Sequence, residues 1–268
     1  MSYRTALSEV LTSVVGPVAE ATAVQGRFPR GAVTALGRAG LLGLTVSTGF
    51  GGGGGGLPEA VDVVARTARV CPATAAVLQS HYTAVAVIEA YGGPWTRGEI
   101  AAGRHLASLA LAEPEGESEA GGDGSTSETQ LFVPRSVATR SGEVVALRAR
   151  KQRVVAAGEA DLYVWSSRPL TAPDGLTLWA VPAHAPDLFV PARPGAAGPR
   201  GSATSTVFAD PVRVPAEAML GADGGGLDIV LRTVLPWLLE LRAAAETRRP
   251  PALDLGGVRR PAGSLAAS

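Results

Sequence analysis

A chain of 268 residues with 46% hydrophobic and 18% charged residues has enough apolar material for a substantial core and is not a disordered polymer. Its formal net charge is zero, which gives no basis for nucleic-acid or anionic-membrane partners. Cys71 is the single cysteine, so no internal disulfide can form and a cytoplasmic setting is expected.

The first hundred residues read as helices. Leu7, Val10, Leu11, Val14 and Val18 recur at three- and four-residue spacing and predict one apolar helix face. Glu9 interrupts that run, so neither a signal peptide nor a membrane helix is expected there. Phe28-Pro29 opens a second helix carrying Val33 and Leu36, with Gly40 as its stop. Gly51 to Gly56 reads as a flexible loop without side chains to pack. Pro58, Glu59 and Asp62 start a third helix, whose buried stripe is predicted as Val61, Val64, Ala65 and Ala68. A fourth runs from about Ala73 to Tyr91, with Leu78, Tyr82, Val85 and Ile88 on one side.

After His105 the pattern changes to short apolar runs separated by Gly, Pro and Ser. Leu106 to Leu111, Val144 to Leu147, Leu162 to Trp165, Leu176 to Val181 and Ser205 to Phe208 predict strands of an antiparallel sheet or barrel. Glu115 to Glu128 reads as a mobile surface loop. Helical spacing returns from Leu227 to Ala245, where Pro236 is expected to kink or break the helix. The tail from Arg248 is Pro-, Gly- and Arg-rich and is expected to be loosely packed. The fold class expected is therefore α+β: a helical domain over 1–105, an antiparallel β-barrel domain over 106–222, and a short helical remnant with a tail over 223–268.

Several motifs in this order carry a resemblance. They are Phe28-Pro29, then Ala39-Gly40-Leu41-Leu42-Gly43-Leu44, Gly49-Phe50-Gly51-Gly52, Tyr91-Gly92 and Ala102-Gly103. Ala110-Leu111-Ala112-Glu113-Pro114 follows, then Phe208-Ala209-Asp210, Val212-Arg213-Val214-Pro215 and Leu220-Gly221. Over roughly residues 28 to 230 the chain resembles the acyl-CoA dehydrogenases. The resemblance implies a flavin lying against the barrel and an acyl thioester beside it.

The departures fall on the flavin-facing positions. The family's Leu-Thr-Glu-Pro motif places a threonine where this chain has Ala112. Its Ala-Gly-Ser-Asp continuation is reduced to Gly116-Glu117-Ser118-Glu119, where Ser118 keeps the hydroxyl and Glu117 repels a phosphate. Its Trp-Ile-Thr motif becomes Arg153-Val154-Val155. The family's C-terminal bundle, which carries the α-proton base, is matched by only one helix after Gly221.

These losses lead to the expectation of a flavin-free descendant. It would use the acyl pocket for a non-redox reaction such as cyclisation of a polyketide-like or long acyl chain. One alternative is an FAD-dependent dehydrogenase or monooxygenase-type subunit whose C-terminal domain comes from a partner. Another is a non-catalytic partner of a full-length relative. The expected cofactor is none, with FAD as the alternative, and three histidines with one cysteine give no metal cluster. The expected partners are a hydrophobic acyl substrate and a second subunit, in a homodimer or hetero-oligomer.

His81, Tyr82 and Glu113 are the catalytic candidates. His81 and Tyr82 are either proton donors or helix residues with satisfied tips. Glu113 is either a general acid or base, or a structural carboxylate paired with an arginine or backbone amides. Ala112, Ser118, Arg153 and Val155 are the substrate-binding candidates. Arg153 either fills the cofactor space, binds an enolate or carboxylate, or is solvated. Lys151 reads as a solvated strand lysine.

Overall fold

A computed structural model of the chain describes residues 2–114, 134–191 and 198–246. The helical part begins with a continuous helical stretch: α1 (Tyr3–Val10), a π-helical turn at Leu11–Val15, and α2 (Gly16–Gln25). Then come α3 (Arg30–Arg38), α4 (Leu57–Ala68), α5 (Pro72–Tyr91) and α6 (Pro94–Ala101). By length and hydropathy the 23-residue stretch Tyr3–Gln25 is sufficient to cross a membrane, unlike the reading from Glu9. Leu7, Val10, Leu11 and Val15 are nonetheless buried within the core cluster.

Pro29 precedes α3 and Gly40, in left-handed conformation, follows it, as the sequence predicts. The Gly51–Gly56 segment corrects its prediction. It is packed tightly onto residues 43–46, with Gly53 N–H bonded to Gly43 O, Gly54 N–H to Val46 O and Gly55 N–H to Leu44 O, at 2.8–3.0 Å. A Cβ on Gly52 would sit 2.2 Å from Val46 O, so glycine serves close approach there rather than flexibility. The Glu59 carboxylate accepts from Gly56 N–H at 2.8 Å and fixes the start of α4. The buried residues of α4 are Ala60, Val63, Val64, Ala65 and Thr67, a stripe rotated slightly from the predicted one. Helix α5 is buried nearly all round rather than on one side, because helices and strands both pack on it.

The strands form two four-stranded sheets. One has the order β1-β4-β5-β8, from Ala107–Ala110, Leu162–Ser167, Thr177–Pro182 and Met219–Leu220. The other has the order β2-β3-β7-β6, from Val137–Ser141, Val144–Val154, Ser205–Pro215 and Leu188–Phe189. Strands β1 and β4 run parallel; every other pairing is antiparallel. The predicted barrel is thus a pair of sheets with no closing hydrogen-bonded seam among the described residues. Strand β3 has register shifts against β7 between Leu147 and Ala149 and between Lys151 and Val154. The second shift lies beside Arg153, whose φ is +52°.

The last helical stretch runs through α7 (Gly226–Ile229), a π-helical turn at Val230–Val234, and α8 (Leu235–Glu246). Pro236 does not break it. A proline lacks the N–H that would reach back four residues, and its ring clashes with that carbonyl. The π turn ahead of it absorbs the mismatch by a wider register. The same arrangement precedes Pro17 in the first helical stretch. Helix α8 packs on α4 and α5, so the chain's last described element returns to the helical part. The Glu115–Glu128 loop and the tail from Arg248 lie outside the described residues.

Candidate flavin-facing seam

Strand β3 carries an inward series: Val145, Leu147 and Lys151 are wholly buried. Lys151 corrects its reading as a solvated strand lysine. Its ammonium donates to Glu113 Oε1 and to Ser166 Oγ, the latter at 2.8 Å, and lies 5.5 Å from the Trp165 ring centroid. Burial pushes the Lys151 pKa down to about 8, against the opposing pull of Glu113. Burial also works against the Glu113 carboxylate. Lys151, Ser136 and the Arg135 amide outweigh it and hold the Glu113 pKa below the usual carboxylate value. The pair is therefore ionised near neutrality.

Glu113 also accepts from the Arg135 N–H, the Ser136 N–H and the Ser136 hydroxyl. It thereby joins Pro114 and Pro134, the two described residues that flank positions 115–133. Of the two sequence readings of Glu113, this geometry matches the structural carboxylate, with a lysine in place of an arginine.

Next to this pair lies the seam between β1 and β3. Ala112 O accepts from Gln152 N–H at 2.8 Å, which sets Ala112 beside Arg153. Val155 O accepts from Ser108 Oγ at 2.6 Å, and Ser108 Oγ is 2.8 Å from Ser80 Oγ on α5. Ala112 thus lies across from Gln152, next in sequence to Arg153, while Val155 lies across from Ser108 further along the seam. Leu111, Ala112 and Val155 are half-buried and Arg153 is exposed, so the guanidinium does not fold into the interior. Ser118 lies outside the described residues.

His81 and Tyr82 are both wholly buried, and their polar atoms are taken up by backbone groups. His81 Nδ1 accepts from Ala107 N–H at 3.1 Å, which assigns the proton to Nε2, 2.9 Å from Leu42 O. Burial pushes the His81 pKa down to about 4, so the ring is neutral at physiological pH. Tyr82 donates to Leu41 O at 2.7 Å, and burial pushes its pKa upward. These bonds lock α5 to residues 41–42 and to β1. They share no partner with Glu113, so the three catalytic candidates do not converge on one hydrogen-bonded site. The sequence reading missed Lys151, Ser136, Ser166, Ser80 and Ser108; only the in–out alternation of β3 pointed to Lys151.

A cavity of about 1160 Å³ lies between α1 and α3 and contains none of these residues. The described residues hold no group of three or more His, Cys, Asp or Glu suited to a metal ion.

Residues 2–101 match the family model of the acyl-CoA dehydrogenase N-terminal domain. The chain is 27% identical over 227 residues to an acyl-CoA dehydrogenase of Bacillus subtilis strain 168, covering 81% of this chain and 56% of the relative. Its fold matches butyryl-CoA dehydrogenase from Megasphaera elsdenii with a TM-score of 0.77 at 21% identity, over 91% of this chain and 63% of that one. It also matches FkbI, a protein for biosynthesis of the methoxymalonyl extender unit of a polyketide, with a TM-score of 0.73 at 25% identity, over 88% and 64%. Residues 2–101 are thus similar to the N-terminal domain of the acyl-CoA dehydrogenases, and the chain shares the fold of their solved structures. It spans less than two thirds of the length of these relatives.

This overturns the expectation that the chain uses no cofactor. The acyl-CoA dehydrogenases among its relatives and fold neighbours are FAD-dependent, and they point to FAD. The seam residues fit a flavin by their chemistry: Leu111, Ala112 and Val155 offer half-buried apolar surface, and the exposed Arg153 offers donors for polar atoms. Neither Ala112 nor Val155 carries a side-chain hydroxyl.

Proposed function

We propose that this chain is the flavin-facing part of an FAD-dependent, acyl-CoA dehydrogenase-type oxidoreductase acting on an acyl thioester. The observation that carries the reading is the β1–β3 seam, with half-buried apolar residues at Ala112 and Val155 and the Glu113–Lys151 pair next to Ala112. When bound, FAD supplies the electron acceptor for oxidation of the acyl chain. Leu111, Ala112 and Val155 would hold the apolar part of the flavin, and Arg153 would donate to its polar atoms or to the thioester. Glu113 acts by position, since an ion-paired carboxylate of depressed pKa is a poor base. The base that removes the α-proton lies outside the described residues.

Flavin-free cyclisation is set aside, because the relatives favour flavin chemistry and none of these observations calls for a ring-closing site. Among acyl groups, the likeness to FkbI favours a short unit destined for a polyketide. The test is the visible absorption spectrum of the protein re-isolated after incubation with excess FAD. Oxidised-flavin bands support the proposal, and a shift of those bands on adding an acyl thioester supports the substrate class. A colourless protein sinks it.

A further inference from the structure

Ser108 is wholly buried on β1, where a polar side chain costs free energy unless it is hydrogen-bonded. Its hydroxyl donates to Val155 O at 2.6 Å, and Ser80 Oγ on α5 lies 2.8 Å from it. A hydroxyl has one hydrogen to give. That of Ser108 goes to Val155 O, so the hydrogen between the two serines comes from Ser80. Ser80 Oγ in turn accepts from Leu109 N–H at 3.0 Å. The chain of bonds therefore runs one way, from Leu109 N–H through Ser80 and Ser108 to Val155 O, and each bond in it strengthens the next.

The backbone at the end of this chain has an unusual conformation. Arg153 has a φ of +52° and Ala156 of +53°, and they flank Val154 and Val155. Ala156 N–H donates to Ser202 O and Ala157 N–H to Ala203 O, both at 2.9 Å, and Ala203 has a φ of +49°. Three non-glycine residues in the left-handed region thus meet where the β3–β7 pairing ends at Val154 and Ser205. Each such residue costs free energy that its surroundings must offset, and such conformations gather at functional sites. Ser202 is fixed in its turn by its own hydroxyl, which donates to Pro199 O at 2.7 Å. The 153–156 segment is therefore held from two sides, by Ser108 and by residues 202–203.

We propose that Ser108 is a positioning residue of the β1–β3 seam. Backed by Ser80, it holds the Val155 carbonyl and keeps residues 153–156 in their strained conformation, so that the cofactor meets a segment already set to receive it. The purpose of the tether rests on the flavin reading above; the tether itself does not.

The experiment is amide hydrogen exchange of the flavin-free full chain, read by NMR, with FAD affinity measured by calorimetry beside it. In Ser108→Ala the Ala156 and Ala157 amides should exchange at least about tenfold faster, relative to the amides of β4 and β5, than in the native chain. Ser108→Ala should also bind FAD at least about threefold more weakly. Gly52→Ala, destabilised at its contact with Val46, should bind FAD as the native chain does. Arg153→Gly and Arg153→Ala both remove the guanidinium and differ in backbone freedom. The glycine variant should melt about 2–4 °C higher than the alanine variant, because the strain is gone, and should bind FAD more weakly, because the set conformation is gone with it. Folding of each variant is checked by circular dichroism. Ala156 and Ala157 amides that exchange in step with β4 and β5 in Ser108→Ala overturn the proposal. So does equal FAD affinity of the native chain and Ser108→Ala, or an Arg153→Gly protein that melts no higher than Arg153→Ala. A native chain that binds no FAD removes the flavin reading and the purpose of the tether with it, while the exchange rates still decide the tether.

Discussion

The wholly buried Lys151 ammonium donates to the Glu113 carboxylate and, at 2.8 Å, to Ser166 Oγ. Through Glu113 it reaches Arg135 and Ser136, so one buried cation ties β3, β4 and the segment leading into β2. Removing one partner of such a pair leaves a charge uncompensated. Lys151→Met should therefore destabilise the protein by about 3–5 kcal/mol. Lys151→Met combined with Glu113→Gln should be milder than Lys151→Met alone. Denaturant unfolding of the two variants checks the order.

Stability should depend on pH at both ends. The folded pKa of Lys151, about 8, lies below its unfolded value. Between the two the unfolded chain holds more protons, so this group's contribution to stability rises as pH climbs from about 8 towards about 10.4. Below that window its burial penalty is fully felt. Glu113 and Asp223 are both depressed, Asp223 by the Thr177 hydroxyl and the Leu170, Ala172 and Thr171 amides overcoming burial. Their contributions are complete above the unfolded carboxylate pKa and are lost as pH falls through the folded values. Melting temperature against pH should show the alkaline slope in the native chain and lose it in Lys151→Met.

His81 should not titrate near neutrality. Its two backbone bonds and its burial keep it neutral down to about pH 4. Imidazole NMR shifts should be flat from pH 5.5 to 8. His81→Leu should destabilise by about 2–4 kcal/mol through the unpaired Leu42 carbonyl and Ala107 amide. A titration midpoint near 6.5 would remove the structural role assigned to this residue.

Gly52→Ala tests the packing of the glycine run. The added methyl meets the Val46 backbone, which cannot yield cheaply, so a loss of about 1–3 kcal/mol is expected. A neutral outcome in thermal unfolding would restore the flexible-loop reading.

Much of the fold was legible because apolar spacing reports burial directly. Helix α5 and strands β4 and β5 follow from Leu78, Tyr82, Val85 and Ile88, and from the runs Leu162–Trp165 and Leu176–Val181. Strand β2 was not legible, because Val137–Ser141 is largely solvent-facing and has no buried alternation to reveal it. The glycine run misled because spacing cannot distinguish a glycine that frees the chain from one that lets two backbones touch. Pro236 misled because the cost of an internal proline can be absorbed by a π turn one step earlier. Lys151 was hidden in the polar run Arg148 to Arg153, where only its in-phase position with Val145 and Leu147 marks it as inward. The motif order carried the family; the missing hydroxyls at Ala112 and Val155 suggested the loss of a cofactor that the relatives point back to.

The most direct test is calorimetric titration of FAD into the native chain and into Ala112→Trp, with folding of the variant verified by circular dichroism. The indole would cover the half-buried surface at Ala112. The account predicts one FAD per native chain and none for the variant. No binding to the native chain, or equal binding to both, would contradict it.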